Sequence, residues 1–364
     1  MKAAVLYEAN QPLAIEELDL DEPGFGEVLI RMGSAGICAS DHHVMTGSAA
    51  FPMPIVLGHE GAGTVVEIGP GVTRVKPGDR CVISFISPCG HCTPCNTGQP
   101  QLCDTHRQVN SLMFDGTARL HKDGKDIFQM QKVGVFGEHA VIPEAACSPM
   151  PDDVPMEVAA LIGCSVTTGV GGVINQPNIK TGGTVVVIGL GGVGLNALQG
   201  AKLLNSRQII AVDIHDHKLE FAYRFGATHV VNSRSEDAVA KIMEITGGQG
   251  VDFAFDTFGA QVTTGQAIDS IKKGGTAVII GLAPTGETVP LNLVDLVRLQ
   301  KNVVGSYYGS ASPHETFNKL ITFYQQRKID IDGLITRRYE LEQINEAFDA
   351  LERGEDGRGV IVFD

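Results

Sequence analysis

The sequence predicts a two-part α/β chain, a β-rich barrel-like domain followed by a doubly wound parallel-sheet domain. Three observations predict it. At 364 residues the chain exceeds what one hydrophobic core comfortably serves. Before about residue 165 the sequence reads as short strands between Gly and Pro turns. After that point apolar strands alternate with helical segments, the mark of a parallel sheet covered on both faces.

In the first part, residues 28–32 and 63–69 read as strands, the second ended by a Gly-Pro-Gly turn. Residues 75–83 read as a turn and a strand, and 120–127 as a hairpin with Asp-Gly at its tip. In the second part, 184–188, 208–212, 230–231, 251–255 and 276–280 read as strands. Residues 193–204, 217–225, 236–246 and 267–271 read as the helices between them. Beyond about residue 300 come helices at 315–326 and 341–353 and a strand at 359–363. The expected domains are 1–165, 166–305, and 306–364 returning to the first.

Hydrophobic residues make up 43% and charged residues 19%, a globular composition. The net charge of −14 argues against nucleic acid and against anionic lipid. No stretch is read as long and apolar enough for a membrane span, and Glu8 comes too early for a signal-peptide core. A soluble cytoplasmic protein is the default expectation.

Gly189-Leu190-Gly191-Gly192-Val193-Gly194 is a G-x-G-x-x-G loop. It follows an apolar strand, opens a helix, and has Asp213 at the end of the next strand, the context that makes it a dinucleotide site of Rossmann type. Its glycines let a pyrophosphate approach the backbone at the helix N-terminus. Asp213 can accept from both ribose hydroxyls and would repel a 2′-phosphate, which favours NAD over NADP. Lys218 adds a donor nearby.

Four of the 8 cysteines, Cys89, Cys92, Cys95 and Cys103, stand in a C-x2-C-x2-C-x7-C segment with little apolar content. Four thiolates close a tetrahedral shell around a structural zinc, and a lobe without a core needs such a clip. An iron–sulfur cluster uses the same ligands but needs a redox role absent elsewhere in the chain. Disulfides are disfavoured in a cytosolic chain.

The Cys38 block, Gly58-His59-Glu60, the four-cysteine segment, Gly163-Cys164, the glycine loop with Asp213, and Gly357-Arg358-Gly359 occur in this order along the chain. Together they resemble the zinc-containing alcohol dehydrogenases of the medium-chain dehydrogenase/reductase superfamily. The resemblance implies a GroES-like catalytic domain and an NAD-linked oxidoreductase that interconverts alcohols and aldehydes or ketones. It also implies two zincs per chain. Cys38, His59 and Cys164 would bind the catalytic one, with Glu60 beside it and Asp41 orienting His59. Ser40 and His43 would relay the proton, Thr168 would lie beside the nicotinamide, and Arg358 at the pyrophosphate. Cys81 and Cys147 match no site and read as small core residues.

Some positions depart from the pattern. Ala39 stands where many relatives carry a basic residue against the pyrophosphate. Arg107 fits a marker of glutathione-dependent formaldehyde dehydrogenases, whereas residues 47–52 lack the acids of that branch. The chain also resembles bacterial enzymes whose NAD stays bound. Phe85, Ile86 and Leu112 are candidate pocket walls, pointing to medium or aromatic alcohols. A homo-oligomer is expected, a dimer over a tetramer, joined near residues 297–307. The contrasting reading is a zinc-free, non-catalytic member, a group that lacks the ligand cysteines.

Overall fold

Val28, Ile30 and Met32 alternate with less buried neighbours along the strand Glu27–Gly36, as a half-buried strand requires. The computed structural model describes residues 1–108, 111–176 and 181–363. The chain divides into two units, Met1–Ser165 with Ala311–Arg327 and Ile331–Asp364, and Val166–Ser310 with Lys328–Asp330.

In the first unit Glu27–Gly36 is central to a 7-stranded sheet. It pairs antiparallel with Gly61–Ile68, His139–Pro143 and the C-terminal strand Arg358–Val362. The register Val360↔Gly36 brings the end of the chain beside Cys38. A second sheet of 6 strands includes Lys2–Leu6 and the 120–129 hairpin.

The second unit holds a parallel sheet in the order His229–Asn232, Gln208–Asp213, Thr184–Ile188, Val251–Asp256, Ile271–Ile279, Asn302–Gly305. All five residues of Thr184–Ile188 are buried, which explains their unbroken apolar run. Val186, Ile188, Ile210, Val212, Val231 and Ile242 form part of its core. The strand order reverses between Thr184–Ile188 and Val251–Asp256, the switch point where such sheets bind ligands.

The structure differs from the sequence reading at, among others, three places. The helix expected at 267–271 spans Gln261–Ser270, opened by reciprocal hydrogen bonds between Ala260 and the Thr263 hydroxyl. Its strand then begins at once, at Ile271, because Lys272 to Gly275, which look like a loop, belong to it. The third difference corrects the expectation that no stretch is long and apolar enough to span a membrane. The helix Met156–Ile174 has that length and composition, and most of it is buried in the protein. Its turns widen to π type over Ile162–Gly171, a rare geometry often found at functional sites.

Candidate active site and metal centres

Three segments of the first unit bring one ligand set together. Cys38 lies in extended backbone at the start of the helix Ala39–Met45. His59 and Glu60 lead into the strand Gly61–Ile68. Cys164 arrives on the buried helix Met156–Ile174. Glycines allow the approach. A Cβ at Gly163 would lie 2.7 Å from the Ile83 carbonyl oxygen, and a Cβ at Gly36 would collide with the Glu60 carboxylate. One ligand atom from each of Cys38, His59, Glu60 and Cys164 lies within 4.8 Å of all the others.

Asp41 fixes the imidazole. Its Oδ1 accepts from the Gly58 amide at 3.0 Å and lies 3.0 Å from His59 Nδ1. His59 Nε2 is buried with no hydrogen-bond partner among the described residues. The Phe85 ring meets His59 edge-on at 5.3 Å. Glu60 Oε2 accepts from Arg358 Nη2 at 2.7 Å, and the same nitrogen donates to the Ile37 carbonyl at 2.6 Å. Glu60 Oε1 has no partner among the described residues.

The electrostatics suit a cation. Burial drives the Glu60 carboxyl up to about 7, against the pull of Arg358. Its contact with Cys164 holds the Cys38 thiol well below the ordinary range despite burial, while Cys164 is pushed up. For His59, burial opposes the charge, but Asp41 and Cys38 outweigh it and raise the imidazole well above its ordinary value. Two buried sulfurs and an imidazole nitrogen that has no hydrogen-bond partner among the described residues, its ring oriented by a carboxylate, fit a three-ligand zinc centre with an open position.

The cysteine lobe forms a second set. Cys89, Cys92, Cys95 and Cys103 offer sulfurs all within 4.8 Å of one another. Cys92 and Cys103 sulfurs are 3.8 Å apart. That is far beyond a disulfide bond and matches the separation of roughly 3.8 Å that four sulfurs about 2.3 Å from one zinc require. The Cys89 and His106 amides donate to Cys103 Sγ at 3.3 and 3.5 Å. Hydroxyl and amide donors at Thr105, His91 and Cys92 outweigh burial and hold Cys89 at about 6.

In the second unit Gly189 has φ +90°. A Cβ on Gly194 would collide with the Gly189 carbonyl, whereas Gly191 faces open space. The Thr257 hydroxyl, just past the strand Val251–Asp256, donates to the Gly189 carbonyl at 2.6 Å and holds the loop there. Asp213, expected at the ribose, anchors the backbone here. It accepts from Leu190 N at 2.8 Å, Ile214 N at 2.7 Å and His215 N at 3.0 Å, and so pins the loop to the strand end.

Ser40 and His43 lie on the helix Ala39–Met45, three positions apart and therefore on one face. Gly192, Val193 and Gly194 form the first turn of the helix Gly192–Leu203, and Lys218 lies on Asp216–Ala222. Thr168 lies in the π-type turns. Sequence reasoning missed the Arg358–Glu60 pair and the roles of Gly36 and Gly163. Residues 298 positions apart leave no local signal for such a pairing.

Residues 24–152 match the family model described as alcohol dehydrogenase GroES-like domain, and residues 192–326 that described as zinc-binding dehydrogenase. The chain is 43% identical to an NDMA-dependent alcohol dehydrogenase of Amycolatopsis methanolica, over 99% of this chain and 98% of the relative. The chain belongs to the zinc-dependent alcohol dehydrogenases of the medium-chain superfamily. This dehydrogenase is also 38% identical to an S-(hydroxymethyl)glutathione dehydrogenase of Paracoccus denitrificans, over 100% of this chain and 99% of that one. Its fold superposes on the crystal structure of benzyl alcohol dehydrogenase from Acinetobacter calcoaceticus with a TM-score of 0.95, at 33% identity, covering 100% and 99% of the two chains. The dehydrogenase is an oxidoreductase that uses zinc and a nicotinamide coenzyme to interconvert alcohols and carbonyl compounds.

Proposed function

We propose that the chain is an NAD-linked alcohol dehydrogenase holding two zincs, a catalytic one at Cys38, His59 and Cys164 and a structural one at Cys89, Cys92, Cys95 and Cys103. The observation that carries this is the buried Cys38–His59–Glu60–Cys164 cluster with Asp41 behind the imidazole. Bound there, zinc supplies Lewis acidity toward the substrate oxygen while the nicotinamide accepts or returns hydride. The protein's own part is to orient and to move a proton. Asp41 keeps His59 Nδ1 engaged and leaves Nε2 to the cluster. Ser40 accepts the proton of the substrate hydroxyl and hands it on, and His43 carries it toward water. Phe85 covers His59 and gives the pocket an apolar wall suited to medium or aromatic alcohols. Thr168 serves the nicotinamide. Arg358, whose Nη2 is held by Glu60 and the Ile37 carbonyl, is the proposed partner of the pyrophosphate, a task to which Ala39 adds no charge.

Asp213 supports NAD over NADP, with Lys218 on the same ribose. A specific observation favours each of two variants of this reading. Arg107, with the Paracoccus relative, supports a glutathione adduct as substrate. The Amycolatopsis relative supports a coenzyme that stays bound through the cycle. An NAD-reduction screen over primary, secondary and aromatic alcohols, with and without glutathione plus formaldehyde, separates these readings. Coenzyme released on denaturing the purified protein marks the retained form.

The quaternary proposal is a homodimer through the edge strand Asn302–Gly305 and the helix Leu293–Arg298. Leu293, Val294 and Val297 on that helix are 69%, 56% and 73% exposed, an apolar surface that a second copy would cover. Light scattering on the purified protein tests it. A reducing, cytoplasmic compartment is the setting in which four clustered cysteines hold a metal, and is proposed for this protein.

A further inference from the structure

Lys132 is a fully buried lysine in the first unit, with 0% of its surface exposed. Its Nζ donates to the His106 carbonyl at 2.9 Å, lies 3.4 Å from His106 Nδ1, and faces the Phe114 ring at 5.3 Å. Among the described residues no carboxylate pairs with it. A buried ammonium without an anion is costly and readily gives up its proton, so keeping the charge calls for an anion beyond these contacts. Burial pulls the amine down to about 7, with Cys103 acting in the opposite direction.

His106 connects the two features. Its amide donates to Cys103 Sγ at 3.5 Å. Its Nδ1 accepts from the Ser87 amide at 3.3 Å, just before Cys89, and Nε2 lies 3.0 Å from Gln131 Oε1. Gln131 and Lys132 both take left-handed backbone, with φ of +55° and +66°. Non-glycine residues hold that conformation in succession only where their surroundings enforce it.

We propose that Lys132 is the buried countercharge of the four-cysteine lobe, a positioning residue that stabilises the metal-loaded lobe by acting through His106. This rests on reading the lobe as a metal site. Four thiolates around a divalent ion retain two negative charges, and a nearby fixed ammonium in a low-dielectric setting offsets them. In the demetallated lobe, which carries less negative charge, the same ammonium has less to offset and burdens the fold. Removing the charge therefore has opposite effects on the two forms, which a simple packing role does not.

The test uses the full-length protein loaded with cobalt in place of zinc, because four-thiolate and two-thiolate cobalt centres absorb differently. The four-thiolate band is followed as a chelator is added, in wild type, K132M, K132Q and K132R. The expected result is loss of that band about tenfold faster in K132M and K132Q, restoration in K132R, and an unchanged band from the Cys38 site. Demetallated K132M should unfold at the same denaturant concentration as demetallated wild type or a higher one. An unchanged release rate in both neutral variants overturns the proposal, as does equal destabilisation of loaded and demetallated forms. Absence of any four-thiolate band in wild type overturns the lobe reading itself. If K132M fails to fold, K132Q, which keeps a donor for His106, carries the comparison.

Discussion

Arg358 and Glu60, 298 residues apart in sequence, form a buried ion pair at 2.7 Å, with the Glu60 carboxylate beside the Cys38 and Cys164 sulfurs. The pair is asymmetric. Glu60 has one oxygen on Arg358 and one with no partner among the described residues, and its carboxylate stands close to the two thiols and His59. Arg358→Met leaves a buried carboxyl unpaired and should destabilise the protein by about 3–5 kcal/mol. The double variant R358M/E60Q should recover a large part of that loss. Urea unfolding of the three variants checks both statements, and equal stability of R358M and wild type would contradict them.

Gly36 makes room for the Glu60 carboxylate, and any side chain there meets it. Gly36→Ala should move Glu60 and the adjoining His59, lowering kcat/KM on the order of a hundredfold, as a displacement of about 1 Å near a reacting centre does. Steady-state kinetics with metal content measured in parallel distinguishes displaced ligands from lost metal.

Asp213 anchors the glycine loop through three backbone amides. Asp213→Ala should therefore weaken NAD and NADP alike, by about tenfold or more, rather than simply trading one for the other. Asp213→Asn keeps an acceptor oxygen and should lose less. Calorimetric titration with both coenzymes gives the result, and a net gain in NADP affinity for the Ala variant would show the anchor to be unimportant.

His314 gives a pH signature of stability in the first unit. Its Nε2 donates to the Ala145 carbonyl at 3.0 Å, and burial, helped by Arg74, pushes its pKa from 6.5 down to about 4. The unfolded chain thus takes up this proton before the folded one does. The stabilisation is fully present above about 6.5 and is lost as the pH falls toward 4. His314→Gln keeps a donor and cannot titrate, so its stability should fall less steeply across that window. Thermal melts between these limits test the slope.

The strongly periodic parts of the fold were legible. The strand–loop–helix unit at 184–204 was readable because a buried parallel strand is apolar throughout and Gly194 has no room for a side chain. The cysteine lobe was readable because its ligands are close in sequence and stand in a core-poor segment. The catalytic cluster was not readable from spacing, since Cys38, His59 and Cys164 meet only through the sheet and the helix Met156–Ile174. Resemblance joined them. The short helix Ala39–Met45 went unread because it is largely polar and barely two turns long. Lys132 gave no signal, because a lysine in sequence reads as surface and its burial comes from the packing of residues 106, 114 and 131 around it.

The central claim is that the metal at Cys38, His59 and Cys164 carries the chemistry while the lobe metal serves the fold. The most direct measurement follows alcohol-dependent NAD reduction while metal content per chain is lowered with a chelator and then restored with zinc. The account predicts two zincs per chain at the start. Activity should vanish with loss of the Cys38-site metal while far-UV circular dichroism is preserved, and should return on adding zinc. Full activity in protein shown to lack that metal would contradict it.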